Sequence, residues 1–332
     1  MSEPEATPTA PRSAAVLDLI AAVEPSPAGA LPGSPLRWIL VRTPFVRTRL
    51  AEATTDPADA AALNDAGLVL VGASFAGDDV AIAPALVDAA AARGIDASAI
   101  DAAAVDDLAG RLGLPADLTV LVVVALRGGE PTEDADGEVD ADVLQRCSFD
   151  RYGTTFERGH GETFTFADGI GAIAEIAVSA PPAAVWALAT DPGLSARFSD
   201  ESLGATWQGE PGVGATFVGR NRNSALGEWE IPCTVDHWDP PTATSPGHFG
   251  WLTSDPADPG ASWHVEVLPM ADGTGTWLRH RMVIGPGFSG ITFALDAMPD
   301  KVDRILRGRA KELQANMQRT VEGVRDLAEA GV

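Results

Sequence analysis

A series of short segments in which apolar and polar residues alternate, closed by one long amphipathic segment, constrains this 332-residue chain more than any other feature. Side chains along a strand point alternately to two faces. Phe217, Gly219 and Asn221 therefore share one face, as do Trp229, Ile231, Cys233 and Val235, then Phe249 and Trp251. Trp263, Val265 and Val267 follow, then Leu278, His280 and Met282. The opposite faces carry Arg220, Arg222, Glu228, Glu230, Thr234, Asp236, His264, Glu266, Arg279 and Arg281. One apolar and one charged face predict an antiparallel sheet that packs on one side and is wetted on the other.

The closing segment, Val302 to Leu327, places Val302, Ile305, Leu306, Leu313, Met317, Val321, Val324 and Leu327 at helical spacing, with its charges mostly elsewhere. It predicts a long helix lying on the apolar face of the sheet. Ahead of the strands, Ala174, Ile176 and Val178 mark a half-buried strand, and Ser179-Ala180-Pro181-Pro182 starts a helix running to about Thr190. Asp191-Pro192-Gly193 breaks that helix, and a second short one follows around Leu194 to Phe198. Large aromatics on such a sheet either fill the interior or line a hollow, and the pattern leaves both open.

Ala174–Asp191 (AEIAVSAPPAAVWALATD), Gly212–Asn221 (GVGATFVGRN), Trp229–Pro240 (WEIPCTVDHWDP) and the closing helix resemble the SRPBCC or START-like superfamily. The likeness is to its polyketide cyclase/dehydrase-type members and spans about residues 172–330. It implies a helix-grip fold, a seven-stranded sheet around a long C-terminal helix, with a cavity for lipids, sterols, polyketides or similar apolar ligands. The cavity-facing, ligand-binding positions would be Phe217, Asn221, Trp229, Trp251, Trp263, His280 and Met282. Two of these are polar, and an unpaired polar group in an apolar cavity is costly. Asn221 and His280 are thus candidate orienting groups, and His280 is a candidate catalytic acid or base. The plainer alternatives are a core histidine satisfied by a neighbour and an asparagine capping backbone.

In the first half, helical segments (Ala14–Val23, Ile82–Arg93, Val105–Leu112) alternate with extended ones (Trp38–Val41, Leu68–Val71, Thr119–Leu126), which reads as an α/β or α+β domain. Glu24–Val41 (EPSPAGALPGSPLRWILV), Ile82–Ile95 (IAPALVDAAAARGI) and Asp107–Gly128 (DLAGRLGLPADLTVLVVVALRG) resemble nitroreductase-like flavoproteins over about residues 14–150. Pro25, Ser26, Pro35 and Arg37 match that family's flavin-approaching segment, so Ser26 and Arg37 are the positions implied for FMN. The departures are larger. Of the arginine-rich opening that grips the FMN phosphate only Arg12-Ser13 is left, and Ala30, Ser34 and Leu36 stand where Asn, Gln and Trp belong. Losing those groups removes charge-assisted and geometric contacts together. The expectation is a degenerate domain with no cofactor, flavin-dependent reduction being the alternative. The same resemblance implies a homodimer.

The net charge of −24 argues against nucleic acid and anionic membranes as partners. Cys147 and Cys233 form no disulfide framework, and no signal segment or membrane-length apolar run is read, so a cytoplasmic protein is expected. Among the five histidines no pair has helical zinc-ligand spacing, and no metal site is read. Gly128 to Asp142 is acidic and apolar-poor, a solvated loop. The chain is accordingly read as α+β: a tail over 1–13 expected to be disordered, an α/β nitroreductase-like domain over 14–165 and a START-like helix-grip domain over 166–332. Its expected function is binding of a hydrophobic small molecule, with polyketide cyclase/dehydratase catalysis in the same cavity as the alternative.

Overall fold

The computed structural model describes residues 13–23, 36–75, 82–128, 143, 146–156, 165–224, 226–270 and 273–331. The tail expected over 1–13 lies outside them except for Ser13, which already begins a helix, and the acidic stretch lies outside them beyond Gly128. The chain divides into two compact units, Met1–Tyr152 and Gly153–Val332.

The first unit contains α1 (Ser13–Val23), β1 (Leu36–Val41), α2 (Pro44–Glu52), α3 (Pro57–Asp65), β2 (Leu68–Ser74), α4 (Ile82–Ala91), β3 (Asp96–Ile100), α5 (Leu108–Leu112), β4 (Thr119–Arg127) and β5 (Cys147–Phe149). Its sheet runs in the order β3-β4-β2-β1-β5. Only β1 and β5 pair in parallel; the other pairings are antiparallel. β1 and β2 are apolar except for Arg37 and Ser74 and are buried along nearly their whole length, as strands covered on both faces must be. The helix expected from Val105 starts only at Leu108, because Val105 forms a bridge to Thr54 instead. α3 is opened by Asp56, whose carboxylate accepts from the Ala58 and Asp59 amides, with Pro57 in the first turn.

The second unit contains β6 (Thr154–Phe156), β7 (Ile170–Val178), α6 (Pro182–Ala189), β8 (Ser202–Trp207), β9 (Thr216–Asn223), β10 (Gly227–Asp239), β11 (Gly247–Asp255), β12 (Asp258–Pro269), β13 (Thr276–Ile284), α7 (Gly290–Ala297) and α8 (Val302–Ala330). Among the described residues eight antiparallel strands form one sheet in the order β6-β7-β13-β12-β11-β10-β9-β8. The resemblance implied seven. The additional edge strand, β6, pairs with β7 through Thr154–Ala172 and Phe156–Ile170 and so belongs with the unit that begins at Gly153.

α8 buries Leu306, Leu313, Met317, Val321 and Val324, the stripe read from the sequence, and packs along β7, β13 and β6. Polar contacts fix its position. Arg309 holds Glu201 through two bonds of 2.6 and 2.7 Å, Arg319 reaches the Phe198 carbonyl and Asp200, and Glu329 accepts from the Ser179 amide at the end of β7. The helix ends at Gly331, which takes the left-handed conformation with φ 73°.

The charged face of the sheet is not wetted everywhere, as alternation alone predicts. Arg279 and Glu175 are 1% and 2% exposed and pair at 3.1 Å across β13 and β7. A buried charge of this kind persists only with a partner in place.

Candidate ligand-binding site

Register decides which side chains share the apolar face. Trp251 stands opposite Trp263, Trp263 opposite Met282, Val265 opposite both Phe249 and His280, Trp229 opposite Asn221, and Phe217 opposite Cys233. All seven expected positions therefore lie on one side of the sheet. Their environments differ: Phe217 and Met282 are nearly fully buried, whereas Asn221, Trp229, Trp251, Trp263 and His280 stay partly open to solvent.

Five of the rings that line this face form a continuous band. Trp207 meets Phe217 at 5.1 Å between centroids, Phe217 meets Trp251 at 5.9 Å, and Trp251 lies parallel to Trp263 at 5.9 Å with 3° between the planes. His280 sits against both indoles, 6.0 Å from Trp251 and 5.6 Å from Trp263. Trp229 and Asn221 stand apart toward the β9–β10 hairpin, and among the described residues Trp229 makes no ring contact with this band.

His280 is the polar exception. Its Nε2 is buried and has no hydrogen-bond partner among the described residues. Burial also pushes its pKa down to about 4, so the imidazole is neutral near pH 7. An unsatisfied ring nitrogen in an aromatic wall is costly unless a bound molecule or water meets it. Cys233, on the same face, has its thiol pushed up to about 12 by burial and donates weakly to the Ile231 carbonyl. It is no thiolate nucleophile.

Sequence reasoning missed three contributors to this wall. Trp186, on α6, packs edge-on against Trp238 at 5.4 Å, and Trp238 in turn meets Phe249 at 5.2 Å and Trp207 at 6.0 Å. Trp238 escaped because β10 is irregular between Val235 and His237. Strict alternation from Val235 carries His237 inward and Trp238 outward; the bulge reverses both.

The two positions implied for flavin fare differently. Ser26 lies outside the described residues. Arg37 is 4% exposed within β1, donates to the Leu36 carbonyl and lies 5.4 Å over the Phe75 ring.

A sheet with a long closing helix and an apolar, partly open inner face is the arrangement against which known families can be compared. Residues 172–324 match the family described as "Polyketide cyclase / dehydrase and lipid transport". The matched region runs from within β7 through most of α8 and includes every residue of the aromatic wall. Among solved structures, the polyketide cyclase-like protein Cgl2372 of Corynebacterium glutamicum is 24% identical, covering 48% of this chain and 92% of its own, with a TM-score of 0.36. The Zhui aromatase/cyclase of Streptomyces sp. R1128 is 17% identical over 47% of this chain and 93% of its own, with a TM-score of 0.34. A nitroreductase family protein of Clostridium novyi NT is 19% identical over 45% of this chain and 87% of its own, with a TM-score of 0.35. No curated protein matches the chain. Among the described residues no helix is long and apolar enough to cross a membrane.

Proposed function

We propose that the second unit binds an apolar, ring-containing small molecule against the inner aromatic wall of its sheet. The observation that carries this reading is the parallel pair Trp251 and Trp263, which keeps solvent access on a face otherwise built as core, beside the unpartnered Nε2 of His280. Flat apolar surface with one polar group is the usual make-up of a small-molecule site: area supplies affinity and the polar group sets orientation. The family match over residues 172–324, whose description covers both polyketide cyclase/dehydrase and lipid transport, supports the same ligand class.

Within this reading Asn221 and His280 are the orienting groups, and Phe217 and Met282 back the wall rather than line it. The alternative is cyclase or dehydratase chemistry with His280 moving the proton. Binding is favoured over it by the histidine itself. A base with a conjugate acid near pH 4 takes protons poorly at neutral pH, whereas a neutral imidazole nitrogen makes a good hydrogen-bond partner for a ligand hydroxyl.

Titration of the full chain with the neutral fluorophore N-phenyl-1-naphthylamine tests the reading. Saturable enhancement near one equivalent, weakened in Trp263→Ala, is expected. No saturable signal, or equal affinity in the variant, overturns it.

For the first unit we propose a supporting, flavin-free role in a degenerate nitroreductase-like domain. Arg37 supports this, since its guanidinium is buried in the strand and engaged by a backbone carbonyl and an aromatic ring. Purified protein incubated with FMN and desalted should show no flavin absorbance; retained stoichiometric FMN removes the proposal. Homodimerisation is part of the same reading, and sedimentation giving a monomer opposes it.

A further inference from the structure

The outer face of the second sheet brings together three histidines that the ligand-binding reading does not use. His237 comes from β10, His248 from β11 and His264 from β12, three consecutive strands of the sheet. Register sets His248 beside Glu266, while Gly250 stands opposite both His237 and His264. The ligand atoms of the three imidazoles all lie within 4.8 Å of one another. His248 Nε2 and His264 Nδ1 are 3.0 Å apart, and the rings of His237 and His248 stack at 4.4 Å.

Two local features turn this proximity into a pocket. The first is Gly250. A Cβ built there would fall 2.6 Å from Asp236 Oδ1, 2.9 Å from His264 Nδ1 and 3.1 Å from His237 Nδ1, so three donor atoms converge on a point that any other residue would fill. The second is the β10 bulge, which turns the neighbours Asp236 and His237 to the same face, where a regular strand would separate them. Asp236 Oδ2 lies 3.1 Å from His237 Nδ1, while its Oδ1 is buried and has no hydrogen-bond partner among the described residues.

We propose that His237, His248, His264 and Asp236 form a binding site for a divalent transition metal of the zinc class. Imidazole nitrogens select zinc, cobalt, nickel or copper over magnesium and calcium, which prefer all-oxygen shells. Tetrahedral ligation with metal–nitrogen bonds of about 2.0–2.1 Å needs nitrogens about 3.4 Å apart, between the 3.0 Å separating His248 from His264 and the 4.8 Å that bounds the cluster. The carboxylate supplies the fourth ligand, and Oδ1 gains the partner it lacks. The Arg281 charge, which opposes a cation here, is offset by Glu266 at 3.4 Å. Such a site would clamp three strands directly behind the aromatic wall.

Cobalt tests this with a spectral signature that adventitious surface binding lacks. Untagged full-length protein, stripped with chelator, is titrated with Co²⁺ and followed by visible d–d absorption. One equivalent per chain, displaced by Zn²⁺, is expected. Affinity should fall by at least about 100-fold in His264→Ala and in His237→Ala, since each removes a ligand. His237 has a side chain 47% exposed, so its variant remains informative even where His264→Ala does not fold. Gly250→Ala should also abolish the signal by filling the convergence point. Binding of N-phenyl-1-naphthylamine should persist in His237→Ala, which separates this site from the inner-face one. Absence of a saturable cobalt spectrum, or an unchanged one in His237→Ala, overturns the proposal.

Discussion

Trp251 and Trp263 face each other from neighbouring strands with 5.9 Å between ring centroids and 3° between ring planes, yet neither is fully buried. An indole pair that only filled a core would lose its solvent contact. Trp263→Ala should therefore cost more in ligand affinity than in stability. The expected rise in dissociation constant for a neutral aromatic probe is about tenfold, the equivalent of losing one aromatic contact of about 1–1.5 kcal/mol. Fluorescence titration and chemical denaturation of the same variant separate the two effects.

His280 makes the fold sensitive to acid. Its native pKa, near 4, lies below the unperturbed value of about 6.5, so the unfolded chain takes up a proton first as pH falls. The stability in question is fully present above about pH 6.5 and is lost progressively down to about pH 4, to a total on the order of 3 kcal/mol. Denaturation midpoints compared between wild type and His280→Gln over that window should converge as the pH is lowered. Parallel pH profiles for the two proteins would show that His280 is not protonated differently on unfolding.

The Arg279–Glu175 pair carries a different kind of risk. Both groups are almost completely buried, and Arg279 also approaches Glu266 at 3.6 Å. Arg279→Leu should destabilise by about 3–5 kcal/mol, since it removes the paired cation from a buried carboxylate. The double variant Arg279→Leu/Glu175→Leu should recover part of that loss. Urea denaturation of the single and double variants gives both values, and a double variant no more stable than the single one contradicts the account.

Two glycines of α8 should respond in opposite directions to the same substitution. A Cβ at Gly308 would meet nothing within 4 Å, so Gly308→Ala gains helix propensity alone and should stabilise by about 0.5–1 kcal/mol. A Cβ at Gly323 would come within 2.4–2.5 Å of three ring carbons of Phe198. Overpacking of that kind costs about 1–3 kcal/mol and outweighs the propensity gain, so Gly323→Ala should lower the melting temperature. Thermal melts of the two variants check the sign of each.

What the sequence by itself determined was everything that follows from local periodicity. Alternation over Phe217 to Met282 placed each expected wall residue on the face it occupies, and the 3.6-residue spacing of Leu306, Leu313, Met317, Val321 and Val324 determined the buried stripe of α8. These are properties of a strand or a helix considered alone. Tertiary structure decided whatever depends on two elements meeting. The bulge at Asp236 exchanged the faces of His237 and Trp238, because one extra residue shifts every later side chain, and no local pattern marks it. Three histidines separated by at least ten residues became neighbours because pairing sets adjacent strands about 4.8 Å apart, whatever the length of chain between them. Thr154–Phe156 became a strand only because the edge of β7 was there to receive it. The solvent access of Trp251 and Trp263 likewise depends on how far the helices stand from the sheet, a distance set by packing between elements and written in none of them singly.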